Sequence, residues 1–135
     1  LEGRRVTGVH AYCFLGDKLV IVYSRRKGQW SPAGGSVEVN ETVEEAVIRE
    51  VAEETNMRVV KQVLLGFQDI IDPSGIVTQT RSVCLVERDG EFISDPDGDI
   101  TEIKLINPAE CKKYFDWGEI GDHLIKRALE FKSTF

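Results

Sequence analysis

Two stretches near the start of the chain, Val6 to Leu15 and Lys18 to Ser24, are rich in β-branched and aromatic residues and are separated by Gly16-Asp17. That pattern predicts a hairpin or a closely spaced strand pair. Two longer stretches of the same character, Val59 to Ile71 and Ile76 to Arg88, flank Asp72-Pro73-Ser74-Gly75, a strong turn signal. Glu102 to Ile106 reads as a further short strand. Between the strands the period changes. Val43, Val47 and Val51 recur four residues apart with Ala46 beside them. This predicts a helix from about Glu41 to Thr55, with Asn40 as its N-cap. Asn107-Pro108 marks another helix start. Within Gly118 to Lys132, Ile120, Leu124, Ile125, Ala128 and Leu129 recur at helical spacing, as expected of a packing helix. Pro32 to Gly35 reads as a turn, in which Gly34 and Gly35 permit close approaches that a side chain would block. The order of elements predicts one α/β (α+β) domain over residues 1–135, a mixed sheet between helices.

Composition narrows this little. A chain of 135 residues, 41% hydrophobic and 30% charged, is that of an ordinary folded domain with a proper core. No apolar run approaches the roughly 20 residues that span a bilayer, and no signal-peptide pattern is present, so no membrane partner is expected. The chain opens on Leu1-Glu2 without a methionine, and its natural start is expected to have been trimmed or replaced. Cys13, Cys84 and Cys111 show no CxxC spacing. Three unpatterned cysteines predict reduced thiols and a cytoplasmic location.

Charge changes the picture. From Glu38 to Glu54 the chain carries seven acids and one base, a net of −6, which equals the net charge of the whole protein. The rest balances to zero. On a helix, Glu50, Glu53 and Glu54 fall within roughly 100° of one another. They border the valine stripe, where water is partly excluded. Two carboxylates about 5 Å apart repel by roughly 3 kcal/mol at an effective dielectric near 20. Arg49 alone does not neutralise them. Either some of them are protonated or a cation sits among them, and a hard divalent ion such as Mg2+ or Mn2+ suits oxygen ligands best. The competing reading is a solvated acidic helix face. Against it stand the absence of interleaved lysines, the adjoining apolar stripe and the Gly-Gly turn just ahead.

The spacing of this segment is specific. Gly35, five residues, Glu41, seven residues, then Arg49-Glu50-Val51-Ala52-Glu53-Glu54-Thr55-Asn56-Met57 resembles the Nudix box, G-x5-E-x7-R-E-U-x-E-E-x-G-U with U aliphatic. Asn56 stands where the box has glycine. Asn is the residue that, after Gly, best tolerates the left-handed backbone expected just past a helix end.

The resemblance to the Nudix hydrolase superfamily (MutT-like members included) implies an α/β/α sandwich with a mixed central sheet. It implies metal-dependent hydrolysis of the pyrophosphate bond of a nucleoside diphosphate linked to a group X. It implies Gly34, through its backbone carbonyl, Glu50, Glu53 and Glu54 as metal ligands. Glu50 is either a third ligand or the base, and Arg49 orients the glutamates. Glu41 ligates through water or pairs with Arg49. Some relatives supply a fifth carboxylate, reaching the metals or acting as base, from the region of the acidic loop Ser94 to Asp99; Asp97, as a metal ligand, and Glu102 are the candidates here, against the reading of a solvated loop. The basic loop Arg25-Arg26-Lys27, leading to Trp30, is where substrate phosphates are expected beside an acidic metal site, so Arg25, Arg26 and Trp30 are the candidate substrate residues. Gln68, Asp69, Gln79 and Arg81 are polar enough to contact substrate, though surface positions explain them equally well. His10, a lone strand histidine, reads as structural.

The expected partner is a small nucleotide, and no long nucleic acid, since the chain has a pI near 5.0 and no basic stripe. A capped RNA end is chemically allowed. Homodimers occur in the family, and a homodimer is compatible with the chain. Pro73 lies about fifteen residues past the box, where ADP-ribose hydrolases of the family tend to have proline, but the D-P-S-G turn explains it without a ligand. The competing function is a non-catalytic Nudix-fold module that binds or senses a nucleotide.

Overall fold

The computed structural model describes residues 3–92, 96 and 98–134, with the side chain of Ile120 outside that set. Asp95 and Asp97 also lie outside the described residues. In chain order the elements are β1 (Val6–Leu15), β2 (Lys18–Ser24), β3 (Gln29–Ser31), β4 (Ala33–Ser36), α1 (Val43–Thr55), β5 (Met57–Asp72), β6 (Gly75–Arg88) and β7 (Ile100–Ile106), then a 3-10 turn (Pro108–Lys113) and α2 (Gly118–Lys132). The strands form one mixed sheet in the order β3-β2-β1-β6-β5, with β4 added along β1 and β7 along β2. At its centre β1 and β6 run parallel, and β5 and β6 form a long antiparallel hairpin.

Alternation along β1 divides the protein into two layers of core. Val9, Ala11 and Cys13 pack with Ala46, Val47 and Val51 of α1 on one face. Tyr12 and Phe14 pack on the other face with Ile125 and Ala128 of α2 and with Cys111 and Phe115. A strand covered on both faces must be apolar at nearly every position, which is why β1 and β2 read as continuous hydrophobic runs. The result is the expected α/β/α sandwich. All three cysteines are buried and unpaired with one another as disulfides. Among the described residues no helix is long and apolar enough to cross a membrane.

Two local expectations need correction. The Pro32–Gly35 segment is no turn: Ala33 to Ser36 form β4, antiparallel to β1, with Val9 opposite Gly35 and His10 opposite Gly34. Strands of three or four residues carry no periodic signal of their own, and long-range pairing alone makes them. The N-cap of α1 is Thr42 rather than Asn40. The Thr42 hydroxyl accepts from the Glu45 N–H at 3.1 Å and the Glu45 carboxylate accepts from the Thr42 N–H at 3.0 Å. This is a capping box, and residues 42–45 carry its T-x-x-E signature. Asn40 sits ahead of it in a left-handed turn, φ 65°.

At the other end of α1, Asn56 has φ 54° and ψ 38°, and its N–H donates to the Ala52 carbonyl. The left-handed position expected from the sequence is there. Asn adds what glycine lacks: its side-chain amide donates to the Glu91 carbonyl at 2.9 Å, tying the helix end to the chain beyond β6. Asn56→Ala therefore meets left-handed strain and loses this bond, and is expected to cost about 1–2 kcal/mol in urea denaturation. Asn56→Gly should cost less, having no strain. Equal midpoints for the wild type and Asn56→Ala would contradict this account of the helix end.

Candidate active site

The capped helix presents two rows of side chains, each four residues apart. Glu50 and Glu54 follow the buried stripe of Ala46, Val47 and Val51, while Arg49 and Glu53 lie beside it toward the open side. Glu50 is only 9% exposed. Its carboxylate lies against β4, where a Cβ at Gly35 would come within 2.5 Å of its Cδ and Oε1. One turn further, Glu54 Oε1 accepts from the Gly34 N–H at 2.9 Å. Neither glycine has a positive φ. Both are needed for close approach: a Cβ at Gly34 would lie 2.2 Å from the Val9 carbonyl oxygen and 2.9 Å from the His10 ring.

Arg49 gathers the acids. Its Nε donates to Glu41 Oε2 at 2.7 Å and its Nη2 to Glu41 Oε1 at 2.9 Å, a two-toothed pair. Nη1 donates to Glu50 Oε1 at 2.8 Å and more distantly, at 3.4 Å, to Glu53 Oε2. Nη2 also donates to the Ser36 carbonyl at 2.8 Å, which fastens the helix to β4. The guanidinium thus holds three carboxylates and the strand at once. Hydrogen bonds from Arg49 and from the Glu38 N–H hold the Glu41 carboxyl down to about 2. In turn, Glu41 first, then Glu50, raise the guanidinium above its ordinary value.

These groups floor an open cleft of about 670 Å³ whose rim includes Arg26 and Lys27. That rim is built on one aspartate. Asp99 Oδ1 accepts from the Arg26 N–H at 2.7 Å and Oδ2 from the Ser24 hydroxyl at 2.8 Å, while its carbonyl accepts from the Arg25 N–H at 2.9 Å. The Arg26 N–H and Ser24 hydroxyl bonds hold the Asp99 carboxyl below its ordinary value.

Glu50, Glu53, Glu54, Arg49, Gly34 and Arg26 are brought together around the cleft. Arg25 and Trp30 are not among its lining residues. Arg25 is exposed, and Trp30 packs instead between Tyr23 and Tyr114, at ring separations of 5.3 and 6.0 Å. The reason is register: Trp30 pairs with Tyr23 across β3 and β2. Glu102 is exposed on β7, opposite Tyr23. Pro73 sits in the tight β5–β6 turn, where Asp72 Oδ1 accepts from the Ser74 N–H at 2.7 Å. Sequence reasoning left Lys27 out of the candidate substrate residues and Asp99 out of the site. Asp99 is visible in the sequence only as one of three alternating aspartates; nothing in its spacing separates the residue that pins the basic loop from its neighbours.

Glutamate carboxylates and strand carbonyls are the oxygen donors that hard divalent cations take, so the residue types fit such an ion. Among the described residues, no three acidic, histidine or cysteine side chains converge as a closed metal site. Glu41, Glu50 and Glu53 turn to Arg49 instead.

Comparison with known proteins gives the family and the fold. The NUDIX domain family matches residues 4–128. The chain belongs to that family. An uncharacterized Nudix hydrolase, YvcI of Bacillus subtilis strain 168, is 36% identical over 59 residues, which is 44% of this chain and 37% of YvcI. The chain therefore matches little more than a third of that relative's length. A mutant form of the Bacillus subtilis pyrophosphohydrolase BsRppH superposes with a TM-score of 0.78 at 21% identity, covering 96% of this chain and 84% of that one. MutT, in a study of the enzymes from Aliivibrio salmonicida and Vibrio cholerae, superposes at 0.67 with 23% identity, covering 94% and 98% of the two chains. These likenesses show a common fold.

The clasp has a pH signature. Because Glu41 is held at about 2 against an ordinary 4.5, its contribution to stability is complete above pH 4.5 and is lost as pH falls toward 2. The wild type should therefore exceed Glu41→Gln in urea midpoint near neutrality, with the gap closing through that acidic window. A gap that does not change with pH would show that Arg49 is not what holds Glu41.

Proposed function

We propose that this protein is a divalent-metal-dependent pyrophosphohydrolase that cleaves a nucleoside diphosphate linked to a group X. The substrate is a nucleoside triphosphate or a compound of the ADP-ribose and nucleotide-sugar type, and water attacks phosphorus. The observation that carries this reading is the placement of Glu50, Glu53 and Glu54 along one cleft, with Gly34 and Gly35 of β4 beside them and Arg26 and Lys27 on its rim.

The chemistry asks for these parts. A diphosphate is polyanionic and repels an anionic nucleophile. When bound, Mg2+ or Mn2+ neutralises that charge and acidifies the attacking water. Glu53 and Glu54 would hold the ion directly, together with the Gly34 carbonyl. Glu50, walled by Gly35 and held by Arg49, is a third ligand or takes the proton of the attacking water. Arg49 is a positioning residue that fixes the direction of Glu50 and Glu53. Arg26 and Lys27 draw the phosphates toward the glutamates, and Arg25 adds positive potential from outside the cleft. Asp97, outside the described residues, and Glu102 are the candidates for a fifth carboxylate. Trp30 supports the rim through its contacts with Tyr23 and Tyr114.

A panel of nucleoside triphosphates, ADP-ribose, nucleotide sugars and dinucleoside polyphosphates, assayed with Mg2+ or Mn2+, tests the reading. Turnover of one class, reduced about a thousandfold in Glu53→Gln, is the expected result, corresponding to several kcal/mol of lost transition-state stabilisation. Gly35→Ala should lower kcat as well, because its Cβ would displace the Glu50 carboxylate from 2.5 Å away. If the protein binds metal and nucleotide yet turns over no member of the panel, it is a nucleotide-binding or sensing module.

A further inference from the structure

On the α2 side of the sheet, a second cavity of about 380 Å³ adjoins the cleft, and His10, Lys27, Ser31 and Gln79 line both. Its volume falls within the roughly 300–1,000 Å³ of small-ligand pockets. Gly34, His10 and Arg81 lie in register on the adjacent strands β4, β1 and β6. At about 4.8 Å per strand, Arg81 is therefore about 10 Å from Gly34, the reach of a nucleoside whose phosphates sit at the glutamates.

Arg81 is 7% exposed. Among the described residues no carboxylate pairs with it, and its Nε has no hydrogen-bond partner. Its remaining contacts are neutral. Nη1 donates to His10 Nδ1 at 3.2 Å and to the Thr80 carbonyl at 3.1 Å. Nη2 makes only long contacts, 3.3 Å to Gln68 Oε1 and 3.5 Å to Gln79 Oε1. The Trp117 ring lies 5.7 Å from the guanidinium carbon. A buried cation with such partners is unusual, since buried charges are ordinarily paired.

The contacts of Arg81 settle the polarity of its neighbours. Arginine only donates, so His10 Nδ1 accepts and the ring proton is on Nε2. Burial and then the Arg81 charge push His10 down to about 4, so it is neutral near pH 7. For the same reason Gln68 and Gln79 turn their oxygens to Arg81 and their NH2 ends away from it. Lys27 adds an ammonium, and no Asp or Glu lines the cavity among the described residues. Apart from His10 Nδ1, which accepts from Arg81, the nitrogen groups around this cavity are donors. An exocyclic NH2 set against Arg81 would meet the donors of its guanidinium, at a cost, whereas a carbonyl set there accepts from them.

Resting on the reading of the cleft as a nucleotide site, we propose that this cavity binds the nucleobase and that Arg81 with its two glutamines selects a keto base, such as guanine, hypoxanthine or uracil, over an amino base. Keto bases offer carbonyl acceptors where adenine and cytosine offer an NH2 donor, and arginine reads the O6 and N7 acceptors of guanine in the same way in nucleic acids. The Trp117 and His10 rings, in edge contact at 5.6 Å, supply aromatic wall beside the polar groups.

Inosine and adenosine nucleotides differ at C6 in this respect and make the cleanest pair. Two measurements separate this proposal from the one it rests on. The first is equilibrium binding of IMP and AMP by calorimetry without added metal. The second is kcat/KM for ITP and ATP with Mg2+, or for the inosine and adenosine forms of whichever X-linked diphosphate the panel selects. The keto member should be preferred about tenfold or more in both, and Arg81→Gln should bring each ratio close to one. The wild-type ratios decide even if that variant fails to fold. Binding or turnover of the adenosine form as good as the inosine form overturns the proposal, as does a ratio that survives Arg81→Gln. So does loss of inorganic phosphate binding in the variant with the IMP preference intact, which would mark Arg81 as an anion site. Absence of hydrolysis with IMP preferred over AMP would remove the enzymatic reading and leave this one standing.

Discussion

Seven negative charges within seventeen residues of chain are tolerable because one guanidinium stands in their midst. Arg49 reaches backward to Glu41 ahead of the helix, sideways to Glu50 and forward to Glu53 on α1, and across to the Ser36 carbonyl of β4. The helix alone would present its acids to water and let them spread. Tied to β4 through Arg49, they face one cleft. The one base is shared among them: Glu38, Glu41, Glu50 and Glu53 all lie within 4 Å of Arg49.

The bare strand Gly34-Gly35 is the complement of that helix. Its two residues point to opposite faces of the sheet, Gly35 to Glu50 on the α1 side and Gly34 to His10 on the α2 side. A side chain at either position would close one of the two halves. The same strand therefore joins the acidic floor to the Arg81 cavity, and β1 carries the connection in register, Val9 beside Gly35 and His10 beside Gly34. The close approaches on both faces of β4 rest on what these two positions leave out.

Much of this is legible in the chain. The strand pair, the long hairpin, the first and last helices and the left-handed residue at Asn56 are visible in periodicity and turn chemistry, because such signals are local. The spacing of Gly35, Glu41, Arg49, Glu50, Glu53 and Glu54 carries the family. What local signals misplace are the pieces that exist only through distant pairing: β3 and β4, too short to show a period, and Thr42 as cap in place of the nearby Asn40. Trp30 resembles a substrate residue from its position after a basic loop. Its pairing with Tyr23 sends it to an aromatic cluster instead.

By itself the sequence determined the charge, the helix that concentrates it and the residue types that can act on a diphosphate, since all of these follow from spacing along one segment. Only the tertiary structure decided which acids meet, which basic residues face them and where a second cavity adjoins the cleft. Glu50 touches Gly35 because α1 packs on β4; Arg26 and Lys27 rim the cleft because Asp99, over seventy residues away, holds their loop. Arg81 lies beside His10 because two strands far apart in sequence run parallel at the centre of the sheet. Spacing fixes neighbours within an element, whereas contacts between elements depend on the packing that buries their apolar faces.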